Sequence, residues 1–188
     1  MKSENQLREV PLEEETIFRG KIFSIGQMQV QLPNGNTASR EIVHHNGGAC
    51  IVPIDPEGNI IMVRQHRISV NRLLLEIPAG KLDSPTEDPL SAAHRELEEE
   101  TGCRATRMEL LTTALPTPGY CTERLHIYLA TGLSQHKAHP DPDEFLQVER
   151  LPLEHAVAKI MGGEITDAKT IIGILMTWEK LRGQSTPA

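Results

Sequence analysis

Aromatic side chains are scarce in this 188-residue chain, with three Phe, two Tyr and one Trp. A nucleobase needs a stacking surface, so each aromatic near a ligand carries extra weight. Cysteine offers no framework either. Cys50, Cys103 and Cys121 are odd in number and lack metal-like spacing, which argues against disulfide staples and a zinc ribbon and fits a reducing cytoplasm. No apolar run approaches about 18 residues and the start, MKSENQLREVPLEEE, is polar, so neither a membrane span nor a signal peptide is read. Positive charge is in deficit, at 19 Lys and Arg against 26 Asp and Glu. The resulting net charge of −7 argues against broad binding of nucleic acid or anionic membrane, but leaves room for a local basic pocket that holds phosphates. Repeats, low-complexity tracts and a G-x-S-x-G nucleophile turn are all missing, and the eight histidines show no convergent spacing.

What is present reads as one main domain with a small addition. Residues 1 to about 12 read as a loose tail. Thr16 to Ile25 reads as a strand. The alternating Met28, Val30 and Leu32, a turn at Pro33-Asn-Gly-Asn36 and a return from Thr37 to Val43 complete a small antiparallel unit, residues 1–45. So few residues bury too little to stand alone, so the unit must pack on the rest of the chain or on a second copy. Residues 46–188 form the main domain. Its strands are expected at Gly47 to Ile54, Ile60 to Arg64, Leu73 to Ile77, Arg107 to Thr113, Leu125 to Ala130 and Glu144 to Arg150. Helices are expected at Leu153 to Met161 and Asp167 to Leu181, the latter capped by Thr166 or Asp167. Strands alternating with helices place the domain in the α/β class, with a mixed sheet covered on both faces.

The densest chemistry lies between Pro78 and Cys103. Asp88-Pro89 is a helix start, with the carboxylate as N-cap and the proline where its missing N–H is harmless, and Gly102 is the stop. At about 100° per residue, placing Glu96 at zero puts Glu100 at about 40° and Glu99 at about 300°, while Glu98 falls near 200°. Three acids share a face, beside an apolar stripe of Leu90, Ala93 and Leu97, which would set the carboxylates at the rim of a packed site. Arg95 stands four residues before Glu99 and can pair with it. Crowded carboxylates repel one another, and their hard oxygens favour Mg²⁺, with Mn²⁺ as the second choice.

The stretch resembles the signature of the Nudix hydrolases, G-x5-E-x7-R-E-U-x-E-E-x-G-U, where U is bulky and apolar. Glu87, Arg95, Glu96, Leu97, Glu99, Glu100, Gly102 and Cys103 match in register. Two features depart from it: six residues, not five, separate Gly80 from Glu87, and Cys103 is small for its slot. The resemblance implies an α/β/α sandwich with a mixed β-sheet, plus the small N-terminal antiparallel β unit. It also implies that Glu96, Glu99, Glu100 and the Ala79 carbonyl hold Mg²⁺.

Pro118 lies fifteen residues past the box, the offset that marks ADP-ribose pyrophosphatases within the family. By that likeness Thr117, Pro118, Gly119 and Glu123 lie along the ligand, Arg40, Glu41 and Arg67 hold diphosphate and ribose, and Phe23 stacks adenine. Glu76 interrupts an apolar strand and is either a ligand contact or paired internally. Asp141-Pro-Asp-Glu144 resembles the family's acidic loop, which makes Glu144 the first and Asp143 the second choice of general base, with Glu99 also in the catalytic set. The implied reaction is Mg-dependent hydrolysis of ADP-ribose, or a related nucleoside diphosphate sugar, to AMP and ribose 5-phosphate. The implied assembly is a homodimer with exchanged N-terminal strands. The alternatives are hydrolysis of another nucleoside diphosphate sugar or an oxidised nucleotide, and a sensor that only binds ADP-ribose.

Overall fold

In a computed structural model, residues 6–139 and 144–184 are described. The chain divides into two compact units, Met1–Asn46 with Thr117–Glu123, and Gly47–Pro116 with Arg124–Ala188. Each is built separately below.

In the first unit β1 (Val10–Arg19), β2 (Phe23–Gln31) and β3 (Thr37–His45) form an antiparallel sheet in that order. The expected strand from Thr16 to Ile25 is in fact the end of one strand and the start of the next. Gly20 N–H bonds to the Phe23 carbonyl at 2.9 Å and turns the chain between them. Val10, Pro11 and Leu12, expected in a loose tail, belong instead to β1, and residues 1–5 of that expected tail lie outside the described residues. Every residue of β1 is exposed, so no buried face imposes the alternation by which strands are recognised. Pro11 is tolerated there because β1 is an edge strand and beside a bulge. The 117–123 segment lies along β3, where Val43 N–H bonds to the Tyr120 carbonyl at 2.7 Å and Thr122 N–H to the Val43 carbonyl at 2.9 Å.

The second unit runs β4 (Gly48–Pro53), β5 (Asn59–Arg67), β6 (Arg72–Glu76), β7 (Ala79–Lys81), α1 (Pro89–Thr101), β8 (Cys103–Ala114), β9 (Leu125–Gln135), β10 (Leu146–Pro152), α2 (Leu153–Met161) and α3 (Ala168–Gln184). One sheet has the order β7-β4-β9-β8, with β4 and β9 parallel and the other pairs antiparallel. The other, β10-β5-β6, is antiparallel throughout. All six residues of β4 are buried, which explains why Ala-Cys-Ile-Val reads as a continuous apolar run. Its side chains alternate between two cores. Ala49 and Ile51 pack with Ala92, Ala93 and Leu97 of α1, while Cys50 and Val52 pack with Leu153 and Ala156 of α2 and Ile174 of α3. The unit is therefore an α/β/α sandwich.

The short strand β7 has no periodicity from which to read it, being three residues long, yet it fixes the site. Its pairing of Cys50 with Ala79 holds the Ala79-Gly80 backbone beside α1.

Candidate active site

Helix α1 starts and stops where its sequence directs. Asp88 Oδ2 accepts the Ser91 N–H at 3.0 Å, and Gly102 ends the helix at φ 68, donating its N–H to the Glu98 carbonyl at 2.8 Å. A Cβ at Gly102 would stand 2.5 Å from the His136 carbonyl, so close approach as well as left-handed backbone demands glycine.

Two of the three acids are more deeply placed than a rim position, while Glu99 stays at the rim. Glu96 is 7% and Glu100 3% exposed, and the buried stripe runs through Ala92, Ala93 and Leu97, leaving Leu90 in solvent. The reason is β7, which brings its backbone over the acidic face. Ala79 N–H donates to Glu100 Oε2 at 3.1 Å. A Cβ at Gly80 would lie 1.9 Å from the Glu96 carboxyl carbon, so this glycine makes room for the carboxylate. Gly80→Ala should leave the protein folded, with a modest loss of stability, while displacing Glu96 and lowering the activity at limiting Mg²⁺ by about tenfold or more. A Mg²⁺ titration of rate checks this, an unchanged half-saturation point being the contrary result.

Arg95 fixes the remaining acids. Its Nη1 donates to Glu96 Oε1 at 2.7 Å and Glu99 Oε2 at 3.0 Å, and its Nη2 reaches Glu87 Oε1 at 3.4 Å. The Glu99 pairing is the expected one, and the other two extend it. Glu87 Oε2 also accepts the Asp83 N–H at 2.5 Å, so the first glutamate of the box ties down the loop that carries the extra residue. Glu98, off the shared face, pairs with Arg104 at 2.6 Å.

Burial pushes Glu100 up to about 8, helped by the nearby charges of Glu96 and Glu144. Burial likewise lifts Glu96 to about 7, against the pull of Arg95 and with the push of Glu99 and Glu144. Glu144 therefore stands near enough to act on both helix acids. Asp143 lies outside the described residues.

Among the described residues no three His, Cys, Asp or Glu side chains already converge as a metal cluster. Oxygens of Glu96 and Glu99 are engaged by Arg95, and one of Glu100 by Ala79. The donor chemistry nevertheless fits a hard divalent ion, because buried, mutually repelling carboxylates gain from a cation.

That chemistry has a measurable sign. Both folded-state values lie above the ordinary carboxylate value, so the protonated forms stabilise the fold fully below about pH 4.5, and this contribution is lost as pH rises through 7 and 8. Cations bind the deprotonated forms. Added Mg²⁺ should thus raise the melting temperature more at pH 8.5 than at pH 5.5, as thermal unfolding with Mg²⁺ or with chelator checks. An equal shift at both values would contradict this placement of the ion.

Arg67, at the end of β5, lies near Glu100 and forks onto Glu76 with two bonds of 2.8 Å. Of the two readings of Glu76, the internal pairing is the one observed: it is 1% exposed and bonds also to Lys169. Burial pushes Glu76 up, but the bonds and charges of Arg67 and Lys169 together bring it below the usual value. The second unit thus brings together Arg67, Glu76, Ala79, Glu96, Glu99, Glu100 and Glu144.

The other expected residues lie in the first unit. Arg40 forks onto Glu9 at 3.1 and 2.6 Å, and Glu41 stands opposite Gln27 on β3. Phe23 lies 5.9 Å from Phe18, ring centre to ring centre, and remains partly exposed. Thr117, Pro118 and Gly119 form a turn in which the Thr117 carbonyl accepts the Cys121 N–H at 3.0 Å. Glu123 stands 3.5 Å from His45, a pairing the sequence does not announce.

The NUDIX domain pattern matches residues 44–171, more than half of the chain and all of the acidic helix. The chain belongs to the Nudix family. This Nudix protein is 41% identical over 182 residues to the ADP-ribose pyrophosphatase of Bacillus subtilis (strain 168), covering 95% of this chain and 98% of that one. It is 41% identical over 168 residues to the methanol dehydrogenase activator of Bacillus methanolicus, covering 88% and 90%. A crystal structure of an ADP compounds hydrolase superposes with a TM-score of 0.84 at 26% identity, over 98% of this chain and 99% of that one. Nudix hydrolases work with divalent metals, in keeping with the donor set on α1.

Proposed function

We propose that this Nudix pyrophosphohydrolase cleaves the diphosphate of ADP-ribose to give AMP and ribose 5-phosphate. The observation that carries the reading is the buried pair Glu96 and Glu100, lifted toward neutrality by burial and crowding, beside Arg67 and Glu144. The likeness to an ADP-ribose pyrophosphatase along nearly the full length supports the substrate.

Mg²⁺, with Mn²⁺ as second choice, would be held by Glu96, Glu99, Glu100 and the Ala79 carbonyl; when bound it supplies charge neutralisation on the diphosphate and a more acidic water. Arg67 offers part of its guanidinium to a phosphate oxygen, and Arg95 keeps Glu96 and Glu99 oriented. Water attacks one phosphorus, its proton passes to Glu144, and the bond between that phosphorus and the bridging oxygen breaks. Phe23, Arg40, Glu41, Thr117, Pro118, Gly119 and Glu123 are proposed as contacts to the remainder of the substrate. Arg40 would have to share its guanidinium with Glu9.

We read the protein as a cytoplasmic homodimer with exchanged N-terminal strands. The three free cysteines support the compartment, and the exposed Leu12, Ile17, Phe18 and Ile22 support burial of the first unit against a second copy. No helix among the described residues is long and apolar enough to cross a membrane. The deciding experiment incubates a panel of nucleoside diphosphate sugars and oxidised nucleotides with enzyme and Mg²⁺ and identifies the products. AMP and ribose 5-phosphate from ADP-ribose at the highest kcat/KM support the reading. Preference for another compound changes the substrate, and binding without turnover makes the protein a sensor.

A further inference from the structure

We propose that Lys169 is a positioning residue, acting through Glu76 to hold Arg67 and to balance the acids around it, so that the field of its guanidinium reaches the diphosphate. The proposal rests on the assignment of Arg67 as a phosphate contact. Glu76 ends β6 as a buried acid, which needs partners to remain charged. Arg67 meets it with Nε on Oε1 and Nη2 on Oε2, while Lys169 Nζ bonds Oε2 from α3. Nη1 of Arg67 takes no part in these bonds, and the side chain is 39% exposed. One edge of the guanidinium is thus fixed internally, leaving Nη1 for a ligand.

The clamp is anchored in turn. Lys169 Nζ donates to Asp167 Oδ2 at 3.0 Å, and the same oxygen accepts the Thr170 N–H at 3.0 Å and the Thr170 hydroxyl at 2.6 Å, capping α3. Thr170 Oγ1 accepts the Ile77 N–H at 3.0 Å, closing the network onto the residue after Glu76. Two cations, Arg67 and Lys169, balance two anions, Glu76 and Asp167. Without Lys169 the group carries one net negative charge behind Arg67. Glu76 then falls to Arg67 alone, and an approaching diphosphate meets a weaker field.

Steady-state kinetics of the full-length enzyme with ADP-ribose at saturating Mg²⁺ test this. Lys169→Met should raise KM by about tenfold with kcat within about twofold, and Lys169→Arg, which keeps the charge, should recover most of the loss. In an Arg67→Ala background Lys169→Met should add almost nothing, because the residue through which it acts is gone. A further KM rise of the same size there overturns the proposal alone, as does a fall in kcat with KM unchanged. An unchanged KM in Arg67→Ala itself overturns the assignment of Arg67 and the proposal with it. Should Lys169→Met fail to fold, Lys169→Gln, which keeps a hydrogen-bond donor toward Glu76 but not the charge, gives the same readout, with the KM rise again confined to protein that retains Arg67.

Discussion

Glu100→Gln lowers kcat by about a thousandfold while its thermal unfolding near pH 7 stays close to that of the parent protein. The two halves of this expectation have one cause. Burial holds the Glu100 carboxyl up at about 8, so near neutrality the folded protein mostly carries the protonated acid, of which glutamine is a near copy. The amide oxygen can still accept the Ala79 N–H, and the amide, like the protonated acid, adds no charge beside Glu96 and Glu144. Only the anionic oxygen is lost, and that oxygen matters when a divalent ion must be held against the diphosphate. A Mg²⁺ titration should show weaker cation dependence together with the low plateau. Near-normal turnover would remove Glu100 from the metal site.

Glu144→Gln is expected to lower kcat by about a hundredfold or more and to leave the Mg²⁺-induced rise in melting temperature in place. Its carboxylate acts on the charges of both Glu96 and Glu100, which sets it near these two acids without making it part of the helix. A general base must be deprotonated to work, so the acid limb of the pH dependence of kcat should flatten in the variant. Asp143→Asn is the paired control and should cost less than about tenfold. The reverse order of effects would transfer the role to Asp143.

The placing of the acids on α1 was legible because helix geometry is local. A capping Asp88, Pro89 at the first position, Gly102 at the stop and a fixed rotation per residue determine which acids share a face. Depth was not legible, since burial of Glu96 and Glu100 depends on β7, a three-residue strand too short to show periodicity. The division of the N-terminal strands was hidden for a related reason: β1 is exposed throughout, so only the turn at Gly20 separates it from β2. Glu76 could be flagged as a buried acid in need of a partner, but Lys169 lies 93 residues further along and nothing in its neighbourhood of sequence points back. Pairings of that kind are made by the sheet and the helix packed across it. The boundary of the first unit has the same character, since Thr117–Glu123 joins it through backbone bonds to β3.

The most direct test is a crystal structure of the enzyme with Mn²⁺ and an ADP-ribose analogue whose bridging oxygen is replaced by methylene. Anomalous density is expected among Glu96, Glu99, Glu100 and the Ala79 carbonyl, with a phosphate on Arg67. Cations bound elsewhere, with Arg95 still holding Glu96 and Glu99 and no ion between these acids and the diphosphate, would contradict the assignment.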